Sequence, residues 1–135
     1  MLRAMRIGRC STMTSDAPSE IAGALSVRSA LAGRRVLLTG ASGFLGKVWL
    51  VLVLDAVPGI GRIYVHMRRK SLLSARARFE NIANTSPVFR PLRERHGSGF
   101  GAFLADKVEV VEGDLAEPEL GLAPAITRRL RREVD

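Results

Sequence analysis

The stretch that decides the fold is L38-T-G-A-S-G-F-L-G-K-V48, which has glycine at positions 40, 43 and 46. Residues 35–39, up to the first glycine, are mostly apolar and predict a short strand covered on both faces, as in a parallel sheet. Residues 44–56, which begin after the second glycine, predict a helix, which ends at Pro58 and Gly59 because proline lacks a donor and glycine frees the backbone. The glycines therefore stand where a strand turns into a helix.

The rest of the chain repeats this alternation. Strands are predicted at 62–67 and 108–111, and helices at 19–31, 71–84 and 125–132. Segment 87–105 contains Pro87, Pro91 and three glycines, and is predicted to be irregular with short helical turns. Alternating strands and helices favour parallel βαβ units. We therefore predict an α/β fold that forms the first βαβαβ half of a doubly wound, Rossmann-type parallel sheet.

Composition excludes several classes of function. The chain has 135 residues, of which 47% are apolar, and a formal charge of +8, which is compatible with one domain and a real core. Its basic residues are dispersed and no nucleic-acid-binding motif is present, so we expect no nucleic-acid partner. The single cysteine, Cys10, excludes an internal disulfide, and the two histidines lack ligand spacing. We expect no metal site, a cytoplasmic setting and no transmembrane segment, since the longest apolar run, 48–54, is far below the roughly 20 residues needed.

The first twelve residues carry Arg3, Arg6 and Arg9 and no acidic residue, which is similar to an organelle transit peptide. The alternative is a disordered tail or a start assigned too far upstream, since Met13 opens a more ordinary sequence. We favour this alternative and treat 1–18 as such a tail.

The glycine spacing predicts a site for the pyrophosphate of a dinucleotide. Gly40 allows a sharp turn off the strand, Gly43 leaves the backbone bare for the phosphates, and Gly46 allows close packing of the helix on the sheet. The free amides of the helix N-terminus attract the anion, and the hydroxyls of Thr39 and Ser42 can add hydrogen bonds. A structural turn without a ligand is the alternative, but the strand-to-helix context favours the binding site. A Walker A loop does not fit, because five residues separate Gly40 from Gly46 and Val48 stands where a hydroxyl is required.

The end of the second strand favours NADPH over NADH. It reads Met67-Arg68-Arg69-Lys70 without an acid, whereas NAD-binding sites of this type usually offer an acid to the ribose. Arg68, together with Arg69, can pair with the 2′-phosphate of NADPH. The alternative is that these basic residues at the end of the strand are solvated and bind no phosphate. Asp114 directly follows the third strand and is predicted to face the adenine, although an ordinary turn explains Glu112-Gly113-Asp114 nearly as well.

Three segments together resemble the NADP-binding start of the fatty acyl-CoA reductases, which are extended short-chain dehydrogenase/reductases. They are TGASGFLGK, the strand ending IYVHMRRK, and VEVVEGDL followed by EPELGL. The resemblance extends from about Ser26 to the last residue. It implies a domain at 19–135 that is the N-terminal half of an NAD(P)-binding Rossmann domain, and a fatty acyl-CoA substrate for the family. The thioester reductase domains of carboxylic acid reductases and nonribosomal peptide synthetases look similar and are the runner-up.

The resemblance also implies roles for individual residues. Arg68 would contact the 2′-phosphate, and Asp114 with Leu115 would lie on the adenine side. The residues that would line the pyrophosphate are Thr39, Gly40, Ser42, Gly43, Phe44 and Leu45, with Gly46 behind them.

The chain departs from the family in two ways. Residues 48–54 are apolar all round, which predicts an extra covered surface through which the protein associates, or an aggregation liability. The family also requires Tyr-x-x-x-Lys for proton donation, whereas the single tyrosine, Tyr64, lies inside a strand and is followed four residues later by Arg68. We therefore expect no catalytic residue in this chain, a sequence truncated before the catalytic part, and no turnover.

Two other functions remain open from the sequence. A non-catalytic NADP-binding module that pairs with another chain would need the same glycine turn. A sugar-nucleotide epimerase shares that turn too, but the basic segment between Asn84 and Lys107 and the EPELGL segment argue against it.

Overall fold

Three parallel strands form the sheet in the computed structural model of the protein, which describes residues 26–135. The strands β1 (Arg35–Leu38), β2 (Arg62–Met67) and β3 (Val108–Glu112) lie side by side in that order. Leu38 pairs with Val65 and Met67 pairs with Glu112, so the carboxyl ends of all three strands meet at one edge of the sheet. The prediction of an α/β fold with a partial doubly wound sheet is confirmed.

Within residues 26–135, six α-helices connect and cover the strands. The predicted tail at 1–18 and most of the helix predicted at 19–31 lie outside the described residues. The helices are α1 (Val27–Leu31), α2 (Phe44–Ala56), α3 (Ala75–Thr85), α4 (Arg90–His96), α5 (Phe100–Lys107) and α6 (Pro124–Glu133).

Two helical regions differ from the sequence prediction. The helix predicted to begin at residue 71 begins at Ala75, because the Ser74 hydroxyl accepts a hydrogen bond from the Ala77 N–H and caps the helix there. The segment 87–105, predicted to be irregular, is helical almost throughout. Pro87 and Pro91 occupy first-turn positions, where the missing N–H of proline costs nothing, so they start helical turns instead of breaking them.

The two faces of the sheet are covered by different helices. On one face, Val36, Ile63 and Val65 belong to a large apolar core that also contains buried side chains of α2, α3, α4 and α5. On the other face, Leu37, Tyr64 and Val111 pack with α6 and with Leu122. Because side chains alternate along a strand, one short strand such as β2 supplies both cores.

The apolar helix α2 is largely covered within the described chain. Leu50, Val51, Val53 and Leu54 are buried, and α2 lies against the short 3-10 turn at Pro87–Phe89. Leu52 is the exposed residue of this run, at 60%. The structure therefore does not support the association surface predicted on residues 48–54, because the helical segment 87–105 covers part of what the sequence left open.

None of the helices among residues 26–135 is long and apolar enough to cross a membrane.

Candidate dinucleotide-binding site

The glycine turn adopts the backbone geometry that its spacing predicts. Gly40 follows β1 with φ of +74°, a left-handed conformation that residues with a Cβ rarely adopt. The Gly43 N–H then donates to the Gly40 carbonyl over 2.9 Å and closes the turn. This places the start of α2 directly over the carboxyl end of β1, where ligands bind in open parallel sheets.

Gly46 allows the first turn of α2 to lie against the backbone of the glycine turn itself. A Cβ on Gly46 would be 2.3 Å from the Gly40 carbonyl oxygen and 2.9 Å from the Cα of Ala41. The close approach predicted for this glycine is therefore present, but the atoms that require it belong to the turn and not to the sheet.

The N-terminus of α2 is free to accept an anion. Its N-cap is Gly43, which has no side chain to bond the first amides, and the first turn contains no acidic residue. Free N–H groups and the positive end of the helix dipole attract phosphate. Phe44 and Leu45, in this first turn, are 74% and 78% exposed.

An open cleft of about 280 Å³ lies beside this turn, at the carboxyl ends of β1, β2 and β3. The structure brings together five of the residues predicted from the sequence, one or two from each strand end. The lining consists of Gly40, Ser42, His66, Met67, Arg68, Arg78, Asp114 and Leu115. Thr39, Gly43, Phe44, Leu45 and Gly46 form the adjoining turn and helix start.

Arg68 and Asp114 face each other across the cleft. An Arg68 guanidinium nitrogen lies 3.5 Å from an Asp114 carboxylate oxygen, and both side chains are accessible to solvent. The N–H of Ala116, which donates to Asp114 Oδ1, and the charge of Arg68 hold the pKa of Asp114 below its usual range. Asp114 therefore carries a negative charge beside the guanidinium of Arg68, which remains accessible to solvent.

Arg69 does not line the cleft. Its Nε donates to a carboxylate oxygen of Glu112 over 3.2 Å, while the other oxygen of Glu112 accepts from the Ala75 N–H at the start of α3. Neighbouring residues alternate between the two sides of an extended chain, so Arg68 and Arg69 serve different partners.

Sequence reasoning missed three residues of the cleft, His66, Met67 and Arg78. Met67 is the last residue of β2 and directly precedes Arg68. Arg78 lies in α3, ten residues beyond Arg68, and its guanidinium donates to the Arg68 carbonyl oxygen. Its helical spacing from Ser74 could have placed it in the first turns of α3, next to the end of β2. His66 is 4% exposed and its Nε2 lies 2.8 Å from the Leu120 carbonyl oxygen. No pattern in the sequence links His66 to Leu120, because 54 residues separate them.

Tyr64 is packed inside the sheet, as its position in a strand predicts. It is 2% exposed and donates its hydroxyl to the carboxylate of Glu133 in α6. Burial, together with this carboxylate, raises the pKa of Tyr64. The side chain faces α6 on the opposite side of the sheet from α2, away from the glycine turn.

The family model described as "Male sterility protein", an NAD-binding family, matches residues 38–135. The match begins at the last residue of β1 and includes the glycine turn, the cleft and α6. It supports a nicotinamide dinucleotide as the ligand class of this domain.

Curated proteins with similar sequences are reductases and a synthase. The chain is 32% identical over 111 residues to "Fatty acyl-CoA reductase 2, chloroplastic" of Arabidopsis thaliana, which covers 82% of the chain and 18% of the relative. It is 40% identical over 102 residues to "Isonitrile lipopeptide synthase" of Mycobacterium tuberculosis, covering 76% of the chain and 4% of the relative.

A solved structure with the same fold is the reductase domain of a nonribosomal peptide synthetase from Mycobacterium tuberculosis. It matches with a TM-score of 0.58 and 38% identity, over 76% of this chain and 22% of that domain. The chain thus spans less than a quarter of the length of each relative described here. The glycine turn, the cleft and these matches confirm the resemblance seen in the sequence: the chain belongs to the NAD-binding male sterility protein family, and its relatives include the fatty acyl-CoA reductases.

Proposed function

We propose that the chain binds NADPH at the carboxyl edge of its sheet and forms the cofactor-binding part of a fatty acyl-CoA reductase. The observation that carries the proposal is the arrangement of an uncapped helix N-terminus, a left-handed glycine turn and two arginines around one cleft. The helix N-terminus and the glycine turn together suit the pyrophosphate of a dinucleotide, and the two arginines suit its 2′-phosphate.

The pyrophosphate would lie against the glycine turn. Main-chain N–H groups at the start of α2 would donate to its oxygens, with the hydroxyls of Thr39 and Ser42 beside them. A Cβ on Gly43 would lie 3.3 Å from the Gly40 carbonyl oxygen, and a larger side chain would also cover the amides. In this proposal the binding segment consists of Thr39, Gly40, Ser42, Gly43, Phe44, Leu45 and Gly46.

The adenosine end would occupy the cleft between the ends of β2 and β3. Arg68 and Arg78 supply positive charge for a 2′-phosphate, and no carboxylate among the lining residues takes the ribose position at the end of β2. Asp114 and Leu115 lie on the β3 side, where a carboxylate can accept from the adenine amino group. The preference for NADPH over NADH rests on these charges.

Calorimetric titration of the chain with NADPH and NADH tests the proposal. We expect binding of NADPH, with NADH weaker by about tenfold or more, which is the effect of losing a charge-assisted contact. Gly43→Arg should abolish the heat of binding. Gly99→Arg is the matched control, because a Cβ at Gly99 meets nothing within 4 Å and the residue lies outside the cleft. Unchanged NADPH affinity in Gly43→Arg would exclude the glycine turn as the pyrophosphate site.

The whole reductase would use the hydride of NADPH to reduce an acyl thioester to an aldehyde or alcohol. This chain holds and orients the cofactor; proton donation in the family needs Tyr-x-x-x-Lys, and the single tyrosine here is buried against α6. We therefore expect no oxidation of NADPH when a fatty acyl-CoA is added to the chain alone. Absorbance at the reduced-nicotinamide band measures this, and turnover by the purified chain would contradict the proposal.

A thioester reductase domain of a peptide synthetase is the second candidate. The 38% identity to the Mycobacterium tuberculosis reductase domain and the 40% identity to a lipopeptide synthase favour it. The two candidates differ in the carrier of the thioester, coenzyme A or a carrier protein. Comparing a fatty acyl-CoA with a carrier-protein-bound acyl group, in a protein that joins this chain to a catalytic part, separates them.

We further propose a cytoplasmic setting, on the basis of the single cysteine. The alternative is an organelle. One relative is named chloroplastic, and the arginines in the first twelve residues are similar to those of an organelle transit peptide. Imaging the full chain with a C-terminal fluorescent tag distinguishes the cytoplasm from an organelle.

A further inference from the structure

His66 lies at the floor of the cleft and is almost completely buried. It is the next-to-last residue of β2, shares a sheet face with Tyr64, and is 4% exposed. Its Nε2 lies 2.8 Å from the carbonyl oxygen of Leu120. A carbonyl oxygen only accepts hydrogen bonds, so Nε2 must carry the proton and donate it.

The Leu120 carbonyl belongs to a turn with an unfavourable backbone. Glu119, Leu120 and Gly121 have φ of 53°, 62° and 62°, which places three consecutive residues in the left-handed region. For the two residues with a Cβ this costs roughly 1–2 kcal/mol each. The turn therefore needs restraints from outside. Arg131 in α6 supplies one, donating to both carboxylate oxygens of Glu119 at 2.7 and 2.8 Å, and His66 supplies the other.

This turn is in direct contact with the backbone that carries Asp114. A Cβ on Gly113 would lie 2.4 Å from the Leu120 carbonyl oxygen and 2.7 Å from the His66 Nε2. A Cβ on Gly121 would lie 2.6 Å from the Asp114 nitrogen. The two glycines thus let the left-handed turn pack directly against the backbone that follows β3, at Gly113 and Asp114.

We propose that His66 is a positioning residue for the dinucleotide, which holds Asp114 in the cleft by donating its Nε2–H to the Leu120 carbonyl and so fixing the turn at 119–121. The inference rests on the proposed function for its ligand. His66 would then influence cofactor affinity although it lies outside the glycine motif. It would act through its contact with Leu120, which joins β2 to the segment after β3.

Three variants of His66 test the role of the hydrogen bond. His66→Gln keeps an N–H donor at about the reach of Nε2, His66→Leu keeps the volume without a donor, and His66→Asn has a donor that is too short to reach. His96→Leu is the matched control, because it removes the other histidine, which stacks on Phe103 at 3.8 Å in a different part of the fold. Each variant is titrated with NADPH, and amide hydrogen exchange is followed at Ala116, Glu117 and Leu122, whose N–H groups bond within this junction.

We expect His66→Leu and His66→Asn to weaken NADPH binding by about tenfold and to raise exchange at the three amides by a similar factor. His66→Gln should restore both to within about threefold of the unmodified chain. If His66→Leu does not fold, the contrast between Asn and Gln gives the same answer.

Two outcomes overturn the inference. The first is unchanged amide exchange and NADPH affinity in both His66→Leu and His66→Asn. The second is an equal loss of NADPH affinity in His66→Gln and His66→Leu, because that would mean that packing, and not the N–H donor, matters. If the unmodified chain binds no nucleotide but amide hydrogen exchange still rises in His66→Leu, the proposed function fails. The result would still show that His66 stabilises the turn at 119–121.

Discussion

The guanidinium of Arg68 lies 3.5 Å from the carboxylate of Asp114, and this pair joins the end of β2 to the end of β3 across the cleft. The two residues are 46 positions apart in the sequence, yet the parallel register brings their strand ends together. Both side chains are accessible, so the pair contributes little to stability. Its importance lies in presenting one positive and one negative group to the same ligand.

Arg68→Gln should lower the affinity for NADPH by roughly 10- to 100-fold and change the affinity for NADH by less than about threefold. The reason is that a charge-assisted bond to the 2′-phosphate is lost, while NADH has no such phosphate. Calorimetric titration with both nucleotides measures the ratio. Arg69→Gln is the matched control and should leave both affinities unchanged, because Arg69 pairs with Glu112 outside the cleft. A stronger effect of Arg69→Gln than of Arg68→Gln would contradict the assignment.

Gly46→Ala should destabilise the protein by about 1–3 kcal/mol and abolish nucleotide binding, because the new methyl group would overlap the backbone of Gly40 and Ala41. Urea denaturation followed by circular dichroism measures the loss. Gly101→Ala in the first turn of α5 is the control: a Cβ there meets nothing within 4 Å, so the substitution should not destabilise the protein and should stabilise it by at most about 0.5–1 kcal/mol. Equal effects of the two substitutions would mean that helix propensity alone, and not the turn, determines the result.

Acid should weaken the attachment of α6 to the sheet. The hydrogen bond from the Tyr64 hydroxyl, followed by the charges of Arg129 and neighbouring arginines, lowers the pKa of Glu133. A carboxyl with a lowered pKa contributes stability above its unfolded pKa and loses it as pH falls through the folded value, so the loss should occur below about pH 4.

The thermal midpoint measured between pH 3 and pH 7 checks this, with Glu133→Gln for comparison. The variant should be less stable at pH 7 and should lose less stability on acidification, because it carries no charge to titrate. A pH dependence in Glu133→Gln as steep as in the unmodified chain would place the titrating groups elsewhere.

Leu52→Lys should leave the elution volume in size-exclusion chromatography unchanged. Leu52 is the exposed member of residues 48–54, while most of its apolar neighbours in α2 are covered by the described chain itself. Gel filtration over a range of protein concentrations makes the comparison. A shift from an oligomer to a monomer in Leu52→Lys would instead support the association surface predicted from the sequence on residues 48–54.

The local parts of the site could be predicted well from the sequence. The bounds of α2 and β2 agree with the prediction, since Gly43 and Pro58 flank α2, Gly61 precedes β2 and the basic residues 68–70 follow it. Gly40 has the left-handed backbone that the turn requires. The start of α3 and the helices between Thr85 and Lys107 were predicted less well, because Ser74 and the prolines at 87 and 91 act as helix starts only when the neighbouring core holds them.

The sequence by itself determined the glycine turn, the alternation of strands and helices, and the basic end of β2, because each depends on residues within a few positions of one another. Only the tertiary structure decided that Arg68 meets Asp114 while Arg69 turns to Glu112, that α2 is covered, and that His66 bonds the Leu120 carbonyl. The three side-chain contacts join residues 43 to 54 positions apart, and their geometry is fixed by strand register and by which face of the sheet each side chain occupies. Such pairings depend on packing that no short stretch of sequence encodes.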